Sequence, residues 1–92
     1  MIQYAEVECL LYSTHSIKEK RSVINSVKAK LRNNLNVAVT ELDFHDLWQR
    51  TKLGIVTISN DLVHAEKTIQ EALRIIETYP ELERTITHVE RL

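Results

Sequence analysis

The apolar residues of this chain change their spacing in a set succession. They recur every second residue, then every third or fourth, then every second in two separate runs, then every third or fourth, and finally every second again. A strand repeats its side chains every two residues and a helix every 3.6, so this succession predicts the order β-α-β-β-α-β. Ile2 to Tyr12 sets Gln3, Ala5, Val7, Cys9 and Leu11 against Tyr4, Glu6, Glu8, Leu10 and Tyr12, a first strand with one mostly apolar face. Ser16 followed by Glu19 is a capping-box pair. Ile17 then opens a helix to about Asn34 with Ile24, Val27, Leu31 and Leu35 on its core face. Asn36 to Leu42, with Val37 and Val39 on one face, predicts a second strand, and the β-branched run Lys52 to Ser59 predicts a third, central one. Asn60 and Asp61 start a second helix with an apolar stripe of Leu62, Ala65, Ile69, Ala72, Leu73 and Ile76 that stops before Tyr79-Pro80. Arg84 to Arg91 predicts the fourth strand.

This order is the ferredoxin-like α+β pattern, a four-stranded antiparallel sheet with two helices on one face, expected to form one domain over residues 1–92. In it the first and second strands run parallel with the third between them, so their C-terminal ends reach the same edge of the sheet. One end feeds THSIKEKR and the other feeds DFHDLWQR. The two densest polar clusters are therefore expected on one rim, roughly 10 Å apart. The Tyr79-Pro80-Glu81 turn is expected to reach that rim as well.

Composition removes several kinds of chemistry. Gly54 is the only glycine, whereas phosphate-cradling loops need several to bring backbone amides up to a ligand. Cys9 is the only cysteine, which excludes an internal disulfide and a CxxC metal site. Its place in an apolar run beside Glu8 fits a buried small hydrophobe better than a reactive thiol. No apolar run approaches the ~20 residues that cross a bilayer, and the acidic opening with Glu6 and Glu8 argues against a signal peptide, so a cytoplasmic protein without a membrane partner is expected. Net charge is −1 but unevenly spread: Lys18, Lys20, Arg21, Lys28, Lys30 and Arg32 face only Glu19 between residues 13 and 36, while residues 60–92 are acidic on balance.

On the first helix Lys18, Arg21, Asn25, Lys28 and Arg32 recur at spacings of 3, 4, 3 and 4 and share one stripe. Such a stripe can follow a phosphate backbone, though a solvated charged face is the commoner reading of a surface helix, weakened here because almost no acid is interspersed. Lys20 projects instead toward the core side of the first turn, where it must extend to the rim or pair with an acid. In DFHDLWQR, Asp43 and His45 share a face of an extended arm with Asp46 close by. A metal site there lacks an obvious third ligand beyond His15 or Glu41, and acid-base work by His45 with Asp43 lacks a nucleophile or pocket. No cofactor or catalytic residue is assigned. A simpler reading has Asp43 and Asp46 capping the turn, Trp48 sealing the end of the core, and Arg50 pairing with Glu41 or Asp43. A recognition surface of Phe44, Trp48 and Arg50 is the further alternative.

The uncovered sheet face is expected to carry Tyr4, Leu10 and Tyr12, a partly apolar surface that a second copy could cover, giving a homo-oligomer. Base stacking on that face is not expected, because the third strand has no aromatic residue and Glu6 and Glu8 repel phosphate. His64 and His88 read as ordinary surface histidines.

HSIKEKR followed by SVINSVKAKLRN, then NVAVTELDFHDLWQR, LGIVTISND and the helix ending near YPE together resemble the YlxP-like family of small bacterial proteins, formerly a family of unknown function. Lys18, Glu19, Lys20 and Arg21 match its first motif, and Glu41, Asp46, Trp48, Gln49 and Arg50 its second. The resemblance implies a ferredoxin-like fold in a bacterial cytoplasm, with genes that often stand among those for translation initiation and ribosome maturation. That neighbourhood suggests work on ribosomal RNA or ribosomal proteins, and no enzyme activity or cofactor carries over from the family. Acylphosphatases share the fold, but their glycine-rich phosphate loop has no counterpart here. The combined expectation is a composite rim in which Lys18, Lys20, Arg21, Lys28, Arg32 and Arg50 face an anionic partner, on a platform of Glu41, Asp43, His45, Asp46, Trp48 and Gln49.

Overall fold

A computed structural model describes residues 1–92. The elements are β1 (Ile2–Leu11), α1 (Ile17–Asn34), β2 (Ala38–Asp43), β3 (Arg50–Ile58), α2 (Leu62–Glu77) and β4 (Leu82–Arg91), the expected βαββαβ order. The sheet runs β2-β3-β1-β4 and every neighbouring pair is antiparallel, which makes β1 and β2 parallel with β3 between them. Strand limits differ from the sequence reading by about two residues, chiefly because β3 begins at Arg50 and β4 at Leu82, where backbone pairing continues past the apolar pattern.

One cluster of 16 buried residues draws on all six elements and fills the layer between sheet and helices. From β1 it takes Ala5, Val7, Cys9 and Leu11; from α1, Ile24, Val27 and Leu31; from β3, Leu53 and Ile55. Cys9 is fully buried, and that burial pushes its thiol up to about 11, away from the reactive thiolate. Inward alternation in β2 and β3 also carries Glu41, Thr51 and Thr57 to the helix side, so three polar groups must find partners there.

The start of α1 is fixed by local chemistry. Ser16 caps it by accepting from Glu19 N at 3.1 Å, and Glu19 Oε2 reaches back to His15 N at 2.8 Å, one residue earlier than in the usual reciprocal box. Ser16→Ala is expected to cost about 1 kcal/mol, read as a lower urea midpoint with an unchanged slope. At the same end of the sheet Tyr12 N donates to Glu81 O at 2.9 Å, so the turn after α2 reaches the expected rim.

Candidate functional site

β2 places Glu41 inward by alternation with Val39, at the end of the strand nearest the first turn of α1. Its carboxylate, 2% exposed, gathers four groups. Lys20 Nζ lies 3.2 Å away, Arg21 Nη2 at 2.6 Å, His45 Nδ1 at 3.0 Å, and the Thr51 hydroxyl donates to it at 2.5 Å. Burial alone pushes the Glu41 carboxyl up, but Thr51, Arg21 and Lys20 together outweigh that and hold it below the usual carboxylate range. Lys20 is fully buried, and burial pulls its ammonium below the ordinary lysine value against the opposing field of Glu41.

This cluster builds the turn between β2 and β3. Lys20 Nζ donates to the Phe44 carbonyl, which also accepts from Leu47 N at 3.1 Å to close the turn. Asp43 Oδ1 accepts from Phe44 N at 2.7 Å, the capping role expected of it. Phe44 has φ 64, and Ser13, in the connection from β1 to α1, has φ 65; they are the only non-glycine residues with positive φ, and both lie on this rim. Left-handed backbone at such residues persists where surrounding contacts over-determine it. Further along the turn, Thr14 Oγ1 donates to Trp48 O at 2.8 Å, Leu11 N donates to Gln49 O at 2.9 Å, and Arg21 Nη2 reaches His45 O at 3.4 Å.

Several of the expected roles change with this geometry. The two polar clusters are in hydrogen-bond contact, closer than one strand spacing implies, because the turn folds over the end of the sheet onto the first turn of α1. Lys20 faces no partner: its ammonium is inside the fold, committed to Glu41 and Phe44 O. Arg21 is half committed to Glu41. Arg50 pairs with Glu8, not with Glu41 or Asp43, because both Arg50 and Glu8 point to the uncovered sheet face; its guanidinium also lies 3.9 Å from the centre of the Phe44 ring. Trp48 does not seal the core. It is 51% exposed, and only its backbone is pinned.

With Leu10, Asp46, Leu47, Gln49 and Arg50, the Trp48 indole lines an open cleft of about 600 Å³ at the rim. Leu10 thus joins this cleft, and the exposed Tyr12 sits at the same end of β1 with its hydroxyl on Glu83, while Tyr4 lies toward the other end with its hydroxyl on Glu6. No three His, Cys, Asp or Glu side chains are grouped to hold a metal ion. Thr14, Thr51 and Leu47 belong to the site and are not singled out by the sequence reading, which also gives Glu8 only as a phosphate-repelling charge and not as the partner of Arg50. For Thr51 a signal exists: it shares the inward face of β3 with Leu53 and Ile55, where a hydroxyl demands an acceptor.

The stripe on α1 fares differently. Lys18, Lys28, Lys30 and Arg32 stand outside every ion pair; on the rest of the chain only Lys67 and Arg91 do. Arg32 donates to Val39 O at 2.8 Å, and Lys30 lies over the Tyr79 ring, so neither charge is cancelled.

Fold and site together define a small ferredoxin-like α+β domain whose two polar motifs meet through a buried ion-pair cluster at one end of the sheet. The chain belongs to the family described as "Protein of unknown function (DUF503)", whose model matches residues 2–89. It is 43% identical over 90 residues, 98% of each chain, to the protein described as "Uncharacterized protein YlxP" of Bacillus subtilis (strain 168), which bears out the resemblance carried by the two motifs. A crystal structure of a C-terminal segment of the alpha subunit of aIF2 from Pyrococcus abyssi is similar with a TM-score of 0.53 at 15% identity, over 94% of this chain and 51% of that one, and this likeness concerns the fold alone. No helix is long and apolar enough to cross a membrane.

Proposed function

We propose that this protein is a small non-enzymatic RNA-binding protein of translation or ribosome maturation, with ribosomal RNA as its partner. The observation that carries the reading is the uncancelled charge of α1. A surface helix whose cations serve only solubility usually has acids interspersed among them, and this one keeps Lys18, Lys28, Lys30 and Arg32 free of any acidic partner. The ribosomal assignment is supported by the genomic setting that the family resemblance implies. In this reading Lys20 and Glu41 hold the rim in shape and touch no RNA.

The test is retention of RNA from a bacterial lysate on the tagged protein at low and high salt, beside a Lys18→Ala, Lys28→Ala, Arg32→Ala variant. Ribosomal RNA is expected on the wild type at low salt, and to be lost at high salt and in the variant. Equal retention by the folded variant, or none by the wild type at low salt, contradicts the proposal. A second reading, a homo-oligomer closed through the open sheet face, draws on the exposure of Leu42, Ile58 and Ile86 there. It predicts a mass that rises with concentration and falls in Ile58→Glu.

A further inference from the structure

We infer that the Trp48 cleft takes an unpaired nucleobase, so that the RNA recognised is a single-stranded or looped segment. The inference rests on the RNA-binding reading and adds to it the kind of RNA. Trp48 presents about half of its surface to solvent although it is the largest apolar side chain in the molecule, and the fold holds it there. Thr14 fixes its carbonyl, Leu11 fixes that of Gln49, and the turn behind them is closed on Phe44 O by Lys20 and Leu47. An exposed indole on a backbone pinned at successive residues is a positioned platform, because stacking on it need order only the side chain and not the turn that carries it.

The chemistry of the walls points to a base. Leu10, Leu47 and Trp48 supply apolar and aromatic surface for a flat ring. Gln49 supplies an amide that both donates and accepts, Asp46 a carboxylate able to accept from an exocyclic amine, and Arg50 a guanidinium already held by Glu8 and the Phe44 ring. A phosphate flanking the base would meet this Arg50, whose side chain is 45% exposed at the cleft. Charge for the backbone beside an aromatic for the base is the pairing by which proteins hold single strands. A duplex keeps its bases stacked and could use only the cations.

Trp48 is the only tryptophan, so its fluorescence reports the cleft directly. A short oligoadenylate and a blunt RNA duplex of equal length would be titrated into the wild type, Trp48→Ala and Trp48→Phe at low salt, after matching melting curves show all three folded. The oligoadenylate is expected to quench Trp48, to bind Trp48→Ala about tenfold or more weakly, and to recover part of that loss in Trp48→Phe. Duplex affinity should be the same in all three. Tight oligoadenylate binding with no quenching, or with full affinity in Trp48→Ala, overturns the cleft while leaving RNA binding intact. Failure of both RNAs to bind overturns the RNA reading itself.

Discussion

Glu41→Ala is expected to remove about 3–5 kcal/mol of folding stability, a large share of the roughly 5–15 kcal/mol that holds a domain of this size. Most of this cost arises because a charge is left stranded inside the fold. Lys20 has no exposed surface, and without Glu41 its ammonium keeps only the Phe44 carbonyl. The Thr51 hydroxyl is deprived of its acceptor at the same time. Urea unfolding of the purified variant measures the destabilisation. Replacing both charges, Lys20→Met with Glu41→Leu, is expected to cost less than Glu41→Ala alone, because nothing ionised is then left inside. The pH dependence has a defined sign. A folded carboxyl below its unfolded value contributes fully above about pH 4.3, and the contribution is lost as pH falls through the lowered folded value. Glu41→Gln should therefore show a shallower fall in stability on the acid side.

Lys20→Met is the second large effect, and it separates structure from function. It should cost about 2–3 kcal/mol, at or below the lower end for breaking a buried pair, because Glu41 keeps Arg21, His45 and Thr51 as partners. Phe44 O would be left with one of its two donors, loosening the turn that carries Trp48. The salt dependence of RNA binding should nonetheless stay as in the wild type, since a buried ammonium releases no counterion. A reduced slope in folded Lys20→Met would place Lys20 on the binding surface after all.

The architecture is legible in the sequence because each element announces itself locally. Period-two alternation in Ile2 to Tyr12, the Ser16 and Glu19 cap, and the stripe of α2 are all short-range signals, and the parallel run of β1 and β2 in this element order carries the two polar motifs to one rim. The core-side stem of Lys20 is legible too, from its helical position, but its commitment to Glu41 and Phe44 O in place of an outside anion is not. The partners of long side chains are not. Arg50 reaches Glu8 across 42 residues of sequence, and only the register Leu10 to Arg50 in the finished sheet brings the two to one face. The exposure of Trp48 is hidden for a related reason. An isolated tryptophan in a turn fits a core lid as well as a surface platform, and its position depends on how the Phe44 turn closes onto Lys20 and Thr14.

Whether α1 is an RNA-binding surface is decided by the affinity of purified ribosomal RNA fragments for the wild type and for the Lys18→Ala, Lys28→Ala, Arg32→Ala variant, measured across a series of salt concentrations. Each lysine or arginine on a phosphate adds about one to the slope of log affinity against log salt. A steep wild-type slope is expected, falling by about three in the variant, with melting curves that coincide. Equal slopes for two equally folded proteins would contradict RNA binding through α1, and would leave its charge as a solvated helix face.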